Sequence, residues 1–185
     1  MSTVPTTITR RRLLCCCGAA LAAFGALGLV GCSRDGADAG PATAVDFGPN
    51  DSCALDGMLL YEYPGPKGQL LVSGQPQPVW YCDTLELLNV LLEPEQVRRL
   101  RGAWVQDMAH ADWERPRGHW IDARQAHYVL DSSRQGAMGD TAASFADAAA
   151  AGAFQSRYGG RVLVFTDIKP EMVDLTGGAL HDTRM

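Results

Sequence analysis

Several signatures of catalysis are missing from this chain. There is no Gly-x-Ser-x-Gly turn for a nucleophile, no phosphate loop and no glycine fingerprint for a dinucleotide. No His-x-x-x-His or Cys-x-x-Cys pair occurs, which removes the common zinc frameworks. Basic residues are also scarce. With Arg10, Arg11 and Arg12 set aside as part of an export signal, 13 basic residues face 21 acidic ones, a formal net charge of −8. That balance argues against a nucleic-acid partner and fits an acidic, soluble surface. Cysteine is sparse past the signal. Cys15, Cys16 and Cys17 leave with it, and beyond Cys32 only Cys53 and Cys82 remain.

What is present begins with the export signal. The three arginines form a basic n-region, and an uncharged apolar run from Leu13 to Val30 follows. The run closes on Leu29-Val30-Gly31-Cys32, the order of residue types that a lipoprotein signal peptidase cuts. Residues 1–31 are therefore read as a signal peptide, with Cys32 as the lipid attachment site and the membrane as its partner. The rival is an uncleaved membrane anchor, but the run is rich in Ala, Gly and Cys. The stretch Thr9–Leu14 fits a twin-arginine signal and an ordinary n-region equally well. Ser33, not Asp, follows the cysteine, which in a Gram-negative bacterium favours the outer membrane over retention in the inner one.

Residues 32–50 hold few large apolar side chains and are read as a lipid-anchored tether, reaching roughly 60 Å if extended. The folded part is expected over 51–168, with a loosely ordered tail over 169–185. Two successive units are predicted. In the first, strands at Met58–Tyr63, Gln69–Ser73 and Pro78–Cys82 lead to a helix capped by Asp83 or Thr84. A further helical turn over Pro94–Arg101 and a strand at Ala103–Met108 follow. In the second, strands at Trp120–Ala123 and Ala126–Leu130 precede a helix capped by Thr141 or Ser144, with Phe145, Ala149 and Phe154 on one face. Gly159-Gly160 ends that helix, and Arg161–Phe165 is a final strand. The fold class is α+β: two strand–strand–helix–strand units packed as one small globular body.

The residues that could carry chemistry are soft and borderline ligands: Cys53, Met58, Cys82, Met108, His110, His119, His127 and Met138. Thiolate, thioether and imidazole together suit Cu(I) better than Zn(II), Mg(II) or Ca(II). Each has a plainer reading. Met58 and Met108 could be core filler, and His127 a hydrogen-bonded strand histidine. His110 and His119 could be surface residues, and Cys53 with Cys82 a disulfide, which composition alone favours in an oxidising compartment.

Taken in order, Cys53-Ala-Leu-Asp-Gly-Met58, Tyr63-Pro-Gly-Pro-Lys67, Val105-Gln-Asp-Met108, Ala111-Asp-Trp113, Gly118-His-Trp-Ile-Asp-Ala123, Gly136-Ala-Met-Gly139 and Gly159-Gly-Arg-Val162 resemble the NosL family. These are nitrous-oxide-reductase accessory lipoproteins. The resemblance spans about Cys53 to Ile168. It implies a fold similar to that of organomercurial lyase, and a periplasmic Cu(I) chaperone that serves denitrification without turnover. Its partners would be nitrous oxide reductase, whose copper-sulfide centre it helps mature, and a membrane ABC-type assembly complex. The motifs place Met58, Met108 and His127 as metal ligands, with Cys53 as a further one. Many members carry a cysteine two residues before the methionine of the glycine–methionine motif, whereas Asp56 stands there in this chain. Whether the site lies in one chain or across a homodimer stays open. The alternatives are an adaptor lipoprotein that docks to a membrane transporter without a metal, and a lyase using Cys53, Cys82 and Asp83.

Overall fold

The computed structural model describes residues 40–93 and 98–175. The signal segment, Cys32 and residues 176–185 lie outside them. Among the described residues no helix is long and apolar enough to cross a membrane.

The architecture is α+β, with the strand–strand–helix–strand unit present twice. The first unit holds β1 (Gly68–Val72), β2 (Val79–Tyr81), α1 (Thr84–Leu92) and β3 (Leu100–Gln106). All three strands pair antiparallel, with β1 in the middle, so Tyr81, Gly68 and Val105 stand abreast. The second unit holds β5 (His127–Leu130), β8 (Ala143–Phe145), α2 (Ala148–Tyr158) and β9 (Arg161–Val164). Its first strand is again central, in the order β8-β5-β9. The units therefore share topology as well as element order.

Their boundary differs from the expected one. The strand β4 (Trp120–Asp122) was assigned to the second unit but pairs with β3, as the outer strand of the first sheet. The second unit starts at His127, and its second strand is the segment expected to begin the helix. Thr141 and Ser144 do not cap that helix. Ala143, Ser144 and Phe145 are all buried in β8, and Asp147 is the cap, accepting from the Ala150 N–H at 2.8 Å. Burial on both faces of a short segment outweighed the helical spacing of Phe145, Ala149 and Phe154. Between β5 and β8 the glycine-rich stretch forms a small hairpin of β6 (Gln135–Gly136) and β7 (Gly139–Asp140).

Three other expectations change. Met58–Tyr63 contains a 3-10 turn at Leu60–Glu62, because only Leu60 finds the interior while Leu59 and Tyr61 stay exposed. The helical turn expected over Pro94–Arg101 gives way to β3 at Leu100 and Arg101, and residues 94–97 lie outside the described ones. Lys169 onward, expected to be loose, begins with a 3-10 turn at Pro170–Met172 that buries Val173, whose carbonyl accepts from Asn89 Nδ2 at 3.1 Å.

The main core joins the two units. Leu87 and Leu88 of α1 pack with Leu70, Val105, Tyr128 and Leu130. Fully burying a leucine contributes about 1.5–3 kcal/mol. Gly68 lets α1 approach the sheet, since a Cβ there would stand 2.7 Å from that of Leu87. The edges also meet through polar bonds: Met108 N–H donates to the Ser144 carbonyl at 2.8 Å, and the Ser144 hydroxyl to the Gln106 carbonyl at 2.6 Å. A smaller aromatic cluster of Phe47, Trp80 and Trp120 holds the incoming chain against the first sheet.

Candidate metal-binding site

The first turn of α1 shapes the site. Asp83-Thr84-Leu85-Glu86 is a capping box. Asp83 accepts from the Leu85 N–H at 2.9 Å, and Glu86 reaches back to the Asp83 N–H at 3.3 Å. The same Oε2 accepts from the Cys82 N–H at 3.1 Å. A carboxylate in the first turn of α1 is thereby fixed beside Cys82, the residue that follows β2. Cys82 follows that strand directly and is fully buried.

A loop brings the second sulfur. Cys53 N–H donates to the Met58 carbonyl at 2.9 Å and its own carbonyl accepts from Gly57 at 3.0 Å, closing residues 53–58 into a tight turn. Gly57 takes φ 78°, which favours a residue without Cβ. The Ala54 N–H donates to the Trp80 carbonyl at 2.9 Å, pinning the turn to β2. Asp56 Oδ1 accepts from Met58 N–H at 2.9 Å, which leaves Oδ2 facing the Cys82 sulfur at 3.4 Å.

Sulfur and carboxylate converge here. Glu86 Oε2 lies 3.1 Å from Cys53 Sγ and 3.4 Å from Cys82 Sγ. One ligand atom each from Cys53, Asp56, Cys82 and Glu86 falls within 4.8 Å of the others. Cys53, Cys82 and Glu86 are buried and Asp56 is exposed, so the cluster opens to solvent on the Asp56 side. The disulfide favoured by composition is absent: both cysteines are free thiols that meet over the Glu86 carboxylate.

The surroundings divide the protons unequally. The Cys82 thiol, hydrogen-bonded to Cys53, holds the Cys53 thiol down to about 6. The same bond and burial push Cys82 above the ordinary thiol range. Burial, reinforced by the Cys53 sulfur, pushes Glu86 up to about 8. Cys53 is therefore mostly thiolate near neutrality, the form that binds metals. A buried cation stands nearby. Lys67 is drawn down to about 8 by burial, against the opposing pull of Asp83, Cys82 and Glu86, and its ammonium donates to the Pro64 carbonyl at 2.7 Å.

Of the expected ligands, Cys53 lies in this cluster and Met58 closes its loop through the backbone. Met108 is partly buried against Val129, Ala143 and Phe145 of the second unit. His127 opens β5 opposite Phe145 and Val164 and is not among the four converging residues. Cys82, a soft-ligand candidate in the sequence, has no counterpart in the family motifs, and Glu86 is not among the expected ligands. The signal for both was local: a cysteine directly before an Asp-x-x-Glu capping box. Asp56 had been noted only as a departure from the pattern.

A family model described as NosL matches residues 44–173. The copper-binding lipoprotein NosL of Stutzerimonas stutzeri is 37% identical over 170 residues, covering 89% of this chain and 88% of that protein. The protein of the same name from Achromobacter cycloclastes is 38% identical over 120 residues, 63% of this chain and 62% of its own. The crystal structure of the copper chaperone NosL from Shewanella denitrificans superposes with a TM-score of 0.67 at 38% identity, spanning 71% of this chain and 99% of that one.

Proposed function

This chain belongs to the NosL family, and from that premise we propose that it is a lipid-anchored copper chaperone carrying Cu(I) in the periplasm. It is held to the membrane through Cys32, with the outer membrane favoured by Ser33. Its cargo goes to nitrous oxide reductase, for the copper-sulfide centre, through the membrane ABC-type assembly complex that serves that enzyme. The copper role rests on the names of its relatives and on the site. The enzyme partners rest on the family resemblance.

The observation that carries the reading is the meeting of two buried free sulfurs, Cys53 and Cys82, at one carboxylate. Soft thiolates suit Cu(I), as they also suit zinc, and discriminate against hard ions that prefer oxygen. Cys53 offers the first sulfur as thiolate, and copper replaces the proton of Cys82. Met58, five residues from Cys53 in the same loop, supplies the nearest thioether by chain. A site of two or three sulfurs binds tightly yet leaves room for a partner's ligand to enter from the open Asp56 side. Release is then exchange of ligands, with no bond made or broken within the protein chain.

Anaerobic titration of the reduced protein with Cu(I) against a competing chelator tests this. The account expects one tightly held ion per chain, lost in Cys53→Ser and Cys82→Ser. Retention of that ion in the double cysteine variant, with loss in Met108→Ala or His127→Ala, would move the cargo to the ligands that the family motifs suggest.

A further inference from the structure

We propose that His110, His119 and Asp107 form a second metal site, for Cu(II), separate from the sulfur cluster. His110 and His119 stand among the borderline ligands of the sequence. Neither belongs to the cluster around Cys53 and Cys82, and the proposal is independent of what that cluster carries.

The ends of β3 and β4 place the three groups. Gln106 pairs with Trp120, and one step further out the Asp107 N–H donates to the His119 carbonyl at 2.7 Å. Asp107 then turns the chain. Its carbonyl accepts from the N–H groups of His110 and Ala111, at 3.1 and 2.9 Å, and its Oδ1 from the Ala109 N–H at 3.1 Å. The turn brings His110 Nε2 to 3.9 Å from Asp107 Oδ2. His119 follows Gly118, and both are left-handed, with φ 55° and 57°. Glycine takes that conformation freely, whereas a residue with a side chain is uncommon there. The two imidazole rings end with centres 5.7 Å apart and planes 34° from parallel.

Metal–imidazole bonds of about 2.0–2.1 Å, at angles of roughly 90–110°, put two ring centres about 4.5–5.2 Å apart. The observed 5.7 Å lies just beyond that range. A carboxylate oxygen on the same ion would stand roughly 2.9–3.3 Å from each nitrogen, against 3.9 Å from His110 here. The three groups do not meet within the 4.8 Å that encloses the sulfur cluster, so closure takes rotation of the rings. His119 is exposed and the His110 side chain is 68% exposed, so both turn without disturbing the core, while the Asp107 side chain, at 5%, is held. The Met108 side chain packs into the second unit. Two imidazoles and a carboxylate suit Cu(II) rather than Cu(I), and Cu(II) is bound most tightly of the divalent first-row ions. Tyr81, Gly68, Val105 and Ile121 stand abreast across the first sheet. Cys82, Asp107 and His119 all lie just past that line, so both sites occupy one end of the sheet. With strands about 4.7–4.9 Å apart, they are separated by roughly 10–14 Å. The oxidised and the reduced ion would thus be held on one rim by different ligands.

The test adds Cu(II) to the mature, untagged chain carrying Cys53→Ser and Cys82→Ser, which leaves no free thiol to reduce it. The serine hydroxyls can donate to Glu86 as the thiols do. Electron paramagnetic resonance is expected to show one Cu(II) per chain, split by two imidazole nitrogens. His110→Ala is exposed, and His119→Asn keeps a residue that tolerates left-handed backbone, so both are built to fold. Replacing an outer partner of a metal ligand costs about 10–100-fold in affinity, so losing an imidazole itself is expected to weaken Cu(II) by at least about tenfold. Neither substitution, made with both cysteines present, is expected to change Cu(I) affinity. If the double serine variant does not fold, wild type filled first with one equivalent of Cu(I) takes its place, with the same expectations. A Cu(II) spectrum without imidazole nitrogen overturns the site, as does one that survives both histidine variants and disappears in His127→Ala. Cu(I) affinity falling as far as Cu(II) affinity in the two variants overturns it too, by merging the two sites. A chain that holds Cu(II) through His110 and His119 but takes no Cu(I) keeps this site and contradicts the copper reading of the sulfurs.

Discussion

At the scale of single residues, the Cys53 sulfur depends on its neighbour. Cys82 holds it as a thiolate, with a midpoint at about 6. Thiolate absorbance followed against pH should show one sulfur ionising near that value in the metal-free protein. In Cys82→Ala the midpoint should climb towards the ordinary thiol range, and an unmoved midpoint would mean another group stabilises the thiolate. Asp83 behaves differently. It is fully buried, accepts from Leu85 N–H and the Thr141 hydroxyl, and leaves its Oδ2 without a hydrogen-bond partner. Burial raises its pKa from 3.8 to about 7. Between those values the folded chain binds more protons than the unfolded one, so this group's contribution falls as pH rises from about 4 to about 7. Asp83→Asn should remove that fall, which Tm of the metal-free variant and wild type at pH 5 and pH 8 would show. Glu86 and Lys67 interact electrostatically with Asp83, so the difference between the curves reports Asp83 together with that coupling. Cys53 was legible in the sequence as a soft ligand. The roles of Cys82 and Glu86 were not, because they depend on a loop 26 to 33 residues earlier folding back against β2.

At the scale of elements, the helix α1 was legible to within a residue of its cap, Asp83 or Thr84, because the leucine run follows them directly, and the structure chooses Asp83. The start of α2 was misplaced, because Phe145 fits a helical face and a buried strand equally well and only the partner strand β5 decides. Asp147→Ala should therefore cost about 1 kcal/mol in chemical denaturation as the loss of a cap, whereas Thr141→Ala should act through Asp83 instead. Packing of α1 on the sheet has its own test. Gly68→Ala would press a methyl group against the fully buried side chain of Leu87. A loss of about 1–3 kcal/mol is expected from overpacking, and an unchanged denaturation midpoint would show that the helix can shift without cost.

At the scale of the whole molecule, two units of the same topology share one core, and the sulfur site lies at one corner of the first. The repeat was visible as an order of elements. The placement of β4 was not, since hydrophobic pattern gives strands but not their neighbours. The anchor adds a prediction: Cys32→Ala should move the protein from the membrane to the soluble fraction, while continued membrane association would favour an uncleaved span. If Cys53 and Cys82 hold the copper as proposed, X-ray absorption at the copper edge of the Cu(I)-loaded protein should show a low-coordinate shell of two or three sulfurs with no imidazole scattering, lost on replacing either cysteine. A shell containing imidazole nitrogen that disappears in His127→Ala would contradict it.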